Sequence, residues 1–214
     1  MSFLTTHFDE TMPVFDNLEL IFIHIPKNAG TSIEMTIHGE RGQYSGHYSW
    51  EKYKRDVPGK WEDYASFSVV RNPFDRTVSN YAYARSKKNF WHSAENPEQS
   101  RMGKHFDYDT LKDRSFSEAV DMLSELEHQG WGYQYPYICD EDQNIVVDHI
   151  LKMENLQEEF NEMLNELDKE RKISLKEKNV TREEKNYRDW YGEEEKKKVG
   201  EYYKTDIELF NYSF

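Results

Sequence analysis

Apolar residues along this chain come in short blocks, and each block is followed by a change of period. Leu18 to Ile25 is the densest: Leu20, Ile21, Phe22, Ile23 and Ile25 crowd together, the pattern of a strand buried on both faces. Pro26 ends it. From Thr31 the period becomes helical, with Ile33 and Ile37 four apart and Gly39 and Gly42 closing the helix. A second block, Ala65 to Val70, reads as a strand that stops at Arg71-Asn72-Pro73. Pro73 suits a first helical turn, where its missing N–H costs nothing. The helix predicted from there to about Arg85 carries Phe74, Val78 and Tyr81 on one side. Residues 87–114 are polar and irregular, a long excursion of the kind that often serves function.

Ser117 to Leu126 is predicted helical, with Ser115 and Glu118 at capping-box spacing. Asn144 to Lys152 reads as a further strand. Asn155 then caps a helix that places Leu156, Phe160, Met163, Leu164 and Leu167 on one face. Residues 168–186 are charged and loop-like, and a closing helix spans roughly Trp190 to Phe210, its run 193-EEEKKK-198 a solvated face. Strands followed repeatedly by helices predict an α/β fold with a central, mainly parallel sheet. In such sheets ligands bind beyond the C-terminal strand ends, where the loops 26–32 and 71–79 fall.

Composition narrows the choices. The 214 residues are enough for one sizeable core, and the whole chain, 1–214, is expected to form a single domain. A net charge of −13 argues against nucleic acid or an anionic membrane as partner, because both reward a basic footprint. An anionic ligand must therefore be held by local basic groups and backbone amides. One cysteine, Cys139, excludes an internal disulfide and reads as a small core residue. No window approaches a membrane span. The segment MSFLTTHFDETMP is acidic without a long apolar run and is not read as a signal peptide; a cytoplasmic location is expected.

The stretch 26-PKNAGTS-32 comes after the first strand and opens a helix. Unpartnered amides at a helix N-terminus attract phosphate. Ala29 and Gly30 let a ligand approach the backbone, Thr31 and Ser32 add hydroxyl donors, and Lys27 adds a positive charge. The Walker pattern puts its lysine just before the hydroxyl residue; here the lysine comes four residues before Thr31. In the second loop, Arg71 stands at a strand end with Ser79 eight residues on. Arginine makes paired, charge-assisted bonds to phosphate, and a serine facing the same way adds a donor; alternatively Arg71 pairs with Asp75 or Asp63. For Arg76 a structural salt bridge is expected.

HIPKNAGTS resembles the 5′-phosphosulfate loop of sulfotransferases that use 3′-phosphoadenosine 5′-phosphosulfate (PAPS), and most nearly that of carbohydrate sulfotransferases of the heparan sulfate 2-O type. The run RNPFDRTVSNY resembles their 3′-phosphate motif. The resemblance spans roughly residues 18–214 and implies a P-loop-like three-layer domain. It places the 5′-phosphosulfate on Lys27, Asn28, Ala29, Gly30, Thr31 and Ser32, with Lys27 at the bridging oxygen of the leaving phosphate. It places the 3′-phosphate on Arg71 and Ser79. The segment 46-GHYSWEKY-53 resembles the stretch that carries the family's base, which implies His47; from the residues, it lies between the two phosphate loops in a segment that could cover the sulfuryl group, with a surface loop histidine as the alternative.

Among the other histidines, His24 reads as packing or structural. His92 and His105 could touch the acceptor, and His128 and His149 read as structural or exposed. Trp50, Trp61, Trp91 and Tyr83 are candidate surfaces for a sugar. Asn179 and Thr181 resemble a late turn near the nucleotide. Asn211 stands where the family usually has glycine. The resemblance implies sulfuryl transfer from PAPS to a hydroxyl, that of a glycan or small glycoside, leaving 3′-phosphoadenosine 5′-phosphate (PAP). The chemistry needs no metal, and no metal-ligand motif demands one. A P-loop-type ATP-dependent small-molecule kinase is the alternative enzyme class, and a nonenzymatic nucleotide-binding or adaptor protein a third.

Overall fold

The computed structural model describes residues 12–38, 46–87, 104–169, 173–175 and 186–214. The expectations placed on Gly39, Gly42, Trp91, His92, Asn179 and Thr181 lie outside the described residues. Four strands form one sheet in the order β1 (Val14–Phe15), β2 (Leu20–Ile23), β3 (Ala65–Val70) and β4 (His149–Lys152). β1 runs antiparallel to β2, while β2, β3 and β4 are mutually parallel. Helices flank this mixed, mostly parallel sheet, the α/β architecture expected of a P-loop-like domain.

Both faces of the sheet are covered, which is why β2 reads as a continuous apolar run. Phe22 and Phe67 stack at 4.9 Å on one face, with Phe160 beyond them. They pack with residues of α1 (Gly30–His38) and of the helix over Leu156–Glu166. On the other face Ile21, Ile23 and Val70 meet Tyr53 of α2 (Trp50–Asp56) and Ile138. The hydrophobic pattern does not announce α2 or the short α3 (Pro58–Asp63). Their sequence, WEKYKRDVPGKWED, is mostly charged and buries little beyond Tyr53.

α4 (Pro73–Arg85) comes after β3 as its sequence predicts, with the Asn72 side chain capping it by accepting from the Phe74 N–H at 3.0 Å. α4 forms a third apolar cluster with α5 (Tyr108–Leu111), α6 (Phe116–Asp121) and α8 (Glu193–Tyr202). α6 carries the expected capping box, Ser115 with Glu118, but ends at Asp121. α7 (Leu156–Glu166) buries Leu156, Phe160, Met163 and Leu164, although Asn155 closes a 3-10 turn and gives no side-chain cap. β4 is shorter than predicted: the chain bends at 147–148, where the Asp148 carboxylate accepts from both the N–H and the hydroxyl of Ser66. The closing helix is two helices, α8 and α9 (Lys204–Leu209), broken at Tyr203, whose buried hydroxyl reaches the Trp131 carbonyl at 2.7 Å.

Candidate functional site

β2 and β3 are neighbours in parallel register, Ile23 beside Ser68, so the loops that leave them emerge side by side. In the first loop Lys27 and Ala29 take left-handed backbone angles, φ 70° and 59°. Non-glycine residues avoid this region, at a cost of about 1–2 kcal/mol each. Left-handed residues within a turn swing successive N–H groups toward one side, the concavity that takes anions. Asn28, between the two, is fully buried. Its side-chain amide donates to the Val69 carbonyl at 2.8 Å and to Gln134 Oε1 at 2.7 Å. That inward anchor holds the strained pair on either side in place. The Asn28 side chain thus braces the loop from below. Thr31 is exposed and Ser32 half-buried at the start of α1. The amides of Gly30 and Thr31, in the first helical turn, have no acceptor within the helix.

The reason for Gly30 lies in His24. A methyl group on Gly30 would sit 1.8 Å from His24 Nε2, so the imidazole lies flat against the glycine. His24 is fixed there from its other edge, with Nδ1 2.9 Å from Glu34 Oε1, and by stacking on Phe22 at 5.4 Å.

In the second loop, Arg71 Nε donates to Asp75 Oδ2 at 2.7 Å and Nη1 to the Lys27 carbonyl at 3.1 Å. Arg71 therefore makes the ion pair that its sequence allowed and also reaches the first loop. Among the described residues Arg76 does not form the salt bridge expected of it: Asp75 pairs with Arg71, one i,i+4 step away. The buried Arg76 instead donates to the carbonyls of Pro26 (3.2 Å) and Gly132 (2.7 Å). Ser79 is buried in α4, 7% exposed.

His47 stands just ahead of α2. Its Nδ1 lies 3.0 Å from the His24 carbonyl. A carbonyl only accepts, so Nδ1 carries the proton and Nε2 keeps the lone pair. The ring meets the His24 ring edge-on at 4.2 Å. Burial first, then the neighbouring His24, holds its pKa well below the ordinary histidine range, so His47 is neutral at pH 7. His128, read from sequence as structural or exposed, is half-buried beside the same group. Its Nδ1 accepts from the Gly130 N–H at 3.0 Å, which places the proton of the neutral ring on Nε2. Burial, then His105 and Lys27, lowers its pKa to about 3. His105 is 4.6 Å from His128 and 5.6 Å from Tyr83, and the Lys27 ammonium rests 3.7 Å from the Tyr83 ring centroid. Loop lysine, aromatic ring and histidines thus form one connected group.

One family model, described as a sulfotransferase family, matches residues 10–213. The chain belongs to the sulfotransferase family. No curated protein and no solved structure gives a match. Membership makes this sulfotransferase an enzyme of sulfuryl transfer, with PAPS as the family's donor and PAP as its product; it does not favour the kinase alternative. No helix among the described residues is long and apolar enough to cross a membrane. Among those residues, no group of three or more His, Cys, Asp or Glu side chains could hold a metal ion.

The sulfotransferase concentrates positive charge where its chain is otherwise acidic. Lys27 is partly exposed at its surface, yet its ammonium lies in a low-dielectric setting between Tyr83 and two guanidinium groups. Burial first, then Arg71 and Arg76, pulls its pKa down to about 7. A group so tuned responds strongly to an added anion. Sequence reasoning missed Gln134, Asp206, His128 and the His24–Glu34 pair. The i,i+10 spacing of His24 and Glu34 across a strand and a helix start gives no local signal.

If the His24 ring is what demands glycine at position 30, Gly30→Ala will cost about 1–3 kcal/mol of unfolding free energy, the usual range for overpacking. Most of that cost should vanish when Gly30→Ala is made in a His24→Ala background. Urea denaturation of the two single variants and the double variant reads the coupling. Additive costs would show that the imidazole is not the obstacle.

Proposed function

We propose that this enzyme moves a sulfuryl group from PAPS to a carbohydrate hydroxyl by in-line displacement, with His47 as general base. The observation that carries the proposal is that Lys27 and Arg71 stand on adjacent loops at one end of the sheet, with Arg71 bonded to the Lys27 carbonyl. One nucleotide bearing a 5′-phosphosulfate and a 3′-phosphate can thus engage both loops. The first-turn amides of Gly30 and Thr31, with the Thr31 and Ser32 hydroxyls, suit the 5′-phosphosulfate oxygens. Ala29 exposes backbone there, and Asn28 contributes through its anchoring of the loop. Arg71, oriented by Asp75, and Ser79 serve the 3′-phosphate.

In this proposal the bond between sulfur and the bridging phosphate oxygen breaks as the acceptor oxygen bonds to sulfur. The Lys27 ammonium stabilises the charge that develops on the leaving 5′-phosphate. The acceptor's proton passes to Nε2 of His47, the nitrogen left basic by the Nδ1–H bond to the His24 carbonyl. Because His47 is neutral at pH 7, it is ready to accept that proton. The carbohydrate class of the acceptor rests on the resemblance of the loops and of 46-GHYSWEKY-53 to carbohydrate sulfotransferases.

Calorimetric titration of the protein with PAP, and with ATP in the presence of Mg²⁺, tests the donor. PAP is expected to bind far more tightly, and a preference for ATP with Mg²⁺ would sink the proposal. The Lys27 role has a pH signature. The ammonium can hold a phosphate only while protonated, and bound PAP raises its pKa. PAP affinity is therefore expected to fall from pH 7 to 9, by up to about tenfold per unit for one linked proton. Lys27→Met should bind more weakly and lose that slope; an unchanged slope would remove Lys27 from the phosphate.

A further inference from the structure

We propose that Gln134 is a positioning residue that fixes the spacing between the two phosphate-binding loops, so that the 5′ and 3′ groups of one nucleotide bind as a coupled pair. The proposal rests on the two-phosphate reading of the site. Gln134 is fully buried, and its amide touches both loops. Oε1 accepts from Asn28 Nδ2 at 2.7 Å and from the Arg71 N–H at 2.9 Å, and Nε2 donates to the Arg71 carbonyl at 2.9 Å. Backbone groups cannot exchange donor for acceptor, so the Arg71 N–H and C=O dictate which way the Gln134 amide faces. The Asn28 amide is oriented in the same way by the Val69 carbonyl. Neither side chain can flip without losing a buried bond.

The Gln134 amide therefore continues the β3 ladder past its last residue. It holds Arg71 by both backbone groups, which fixes the point from which the guanidinium departs. At the same time it grips Asn28, the residue between the two left-handed positions of the first loop. Gln134 is held in turn. The buried Asp206 carboxylate accepts from the backbone N–H of Gln134 at 2.8 Å and of Tyr135 at 3.0 Å. Arg76 adds a parallel strut, linking Pro26 of the first loop to Gly132, two residues from Gln134. α9 thus acts on both loops through one glutamine.

A ligand that bridges two sites gains from the second contact only if the sites already stand at the right separation; otherwise the binding must supply the ordering. Three nucleotides separate the contributions: AMP, with the 5′-phosphate alone; adenosine 3′-phosphate, with the other; and PAP, with both. In the unaltered protein PAP should bind far more tightly than either single phosphate. Gln134→Leu keeps the side-chain bulk and removes the amide. It is expected to reduce the preference for PAP over AMP by about tenfold or more, while each monophosphate alone changes by less than about threefold. A role in stability alone would lower the melting temperature and weaken all three ligands together. An unchanged PAP-to-AMP ratio in the folded variant overturns the proposal. If Gln134→Leu does not fold, Asp206→Asn, which loosens the grip on Gln134 but keeps its amide, is judged by the same ratio. Should the unaltered protein show no preference for PAP over AMP, the two-phosphate reading itself fails, whatever Gln134 does.

Discussion

The parallel pairing of β2 with β3 is the constraint on which the rest of this molecule depends. Parallel neighbours deliver their C-terminal ends to the same edge, so the chain after Ile23 and the chain after Val70 must meet. Ser68 reinforces the pairing from inside, its hydroxyl donating to the Ile23 carbonyl at 2.7 Å. Past the last ladder bonds, side chains take over the pairing. Asn28, Arg71 and Gln134 bond the two loops through groups that are buried or nearly so, where each satisfied bond matters more than it would in water. Two left-handed non-glycine residues persist in the first loop because these contacts leave it little else to do.

Charge is organised around the same edge. A chain of net charge −13 sets Lys27, Arg71 and Arg76 close together, and repulsion among them is part of what brings the Lys27 pKa to about 7. Asp75 offsets the Arg71 charge, backbone carbonyls accept from Arg71 and Arg76, and the Lys27 ammonium rests on the Tyr83 ring. Burial lowers the pKa of His47 and of His128, and backbone partners fix their tautomers: His47 offers a lone pair and His128 an N–H. On the function proposed, an incoming polyanion meets cations and dipoles already held in place, with the Asp75 carboxylate on one edge of the Arg71 guanidinium. That is the arrangement expected where charge is stabilised by preorganised groups.

What could be read from the sequence was local. Ala65 to Val70, the Pro73 helix and the Ser115–Glu118 box each announce themselves within a few residues, and each is found where expected. So is the loop between β2 and α1, because a strand, a proline and a hydroxyl-rich helix start come in order. What escaped is made by distance. Gln134 reaches Asn28 and Arg71 across 106 and 63 positions, and Asp206 reaches Gln134 across 72. No period or motif encodes such contacts. The His24 ring over Gly30 was missed for a related reason: the loop glycine was expected to admit a ligand, whereas its missing side chain admits an imidazole. The break at Tyr203 divides a helix whose periodicity runs on, and the buried Tyr203 hydroxyl bonds the distant Trp131 carbonyl, a contact no local pattern encodes.

The central claim is that one nucleotide bridges the two loops with Lys27 at the bond that breaks. A crystal structure of the protein with PAP tests it most directly. The account predicts the 5′-phosphate within hydrogen-bond distance of the Gly30 and Thr31 amides and the Lys27 ammonium, with the 3′-phosphate on Arg71 and Ser79. A nucleotide bound with its 5′-phosphate away from Lys27, or with its 3′-phosphate clear of Arg71, would contradict it.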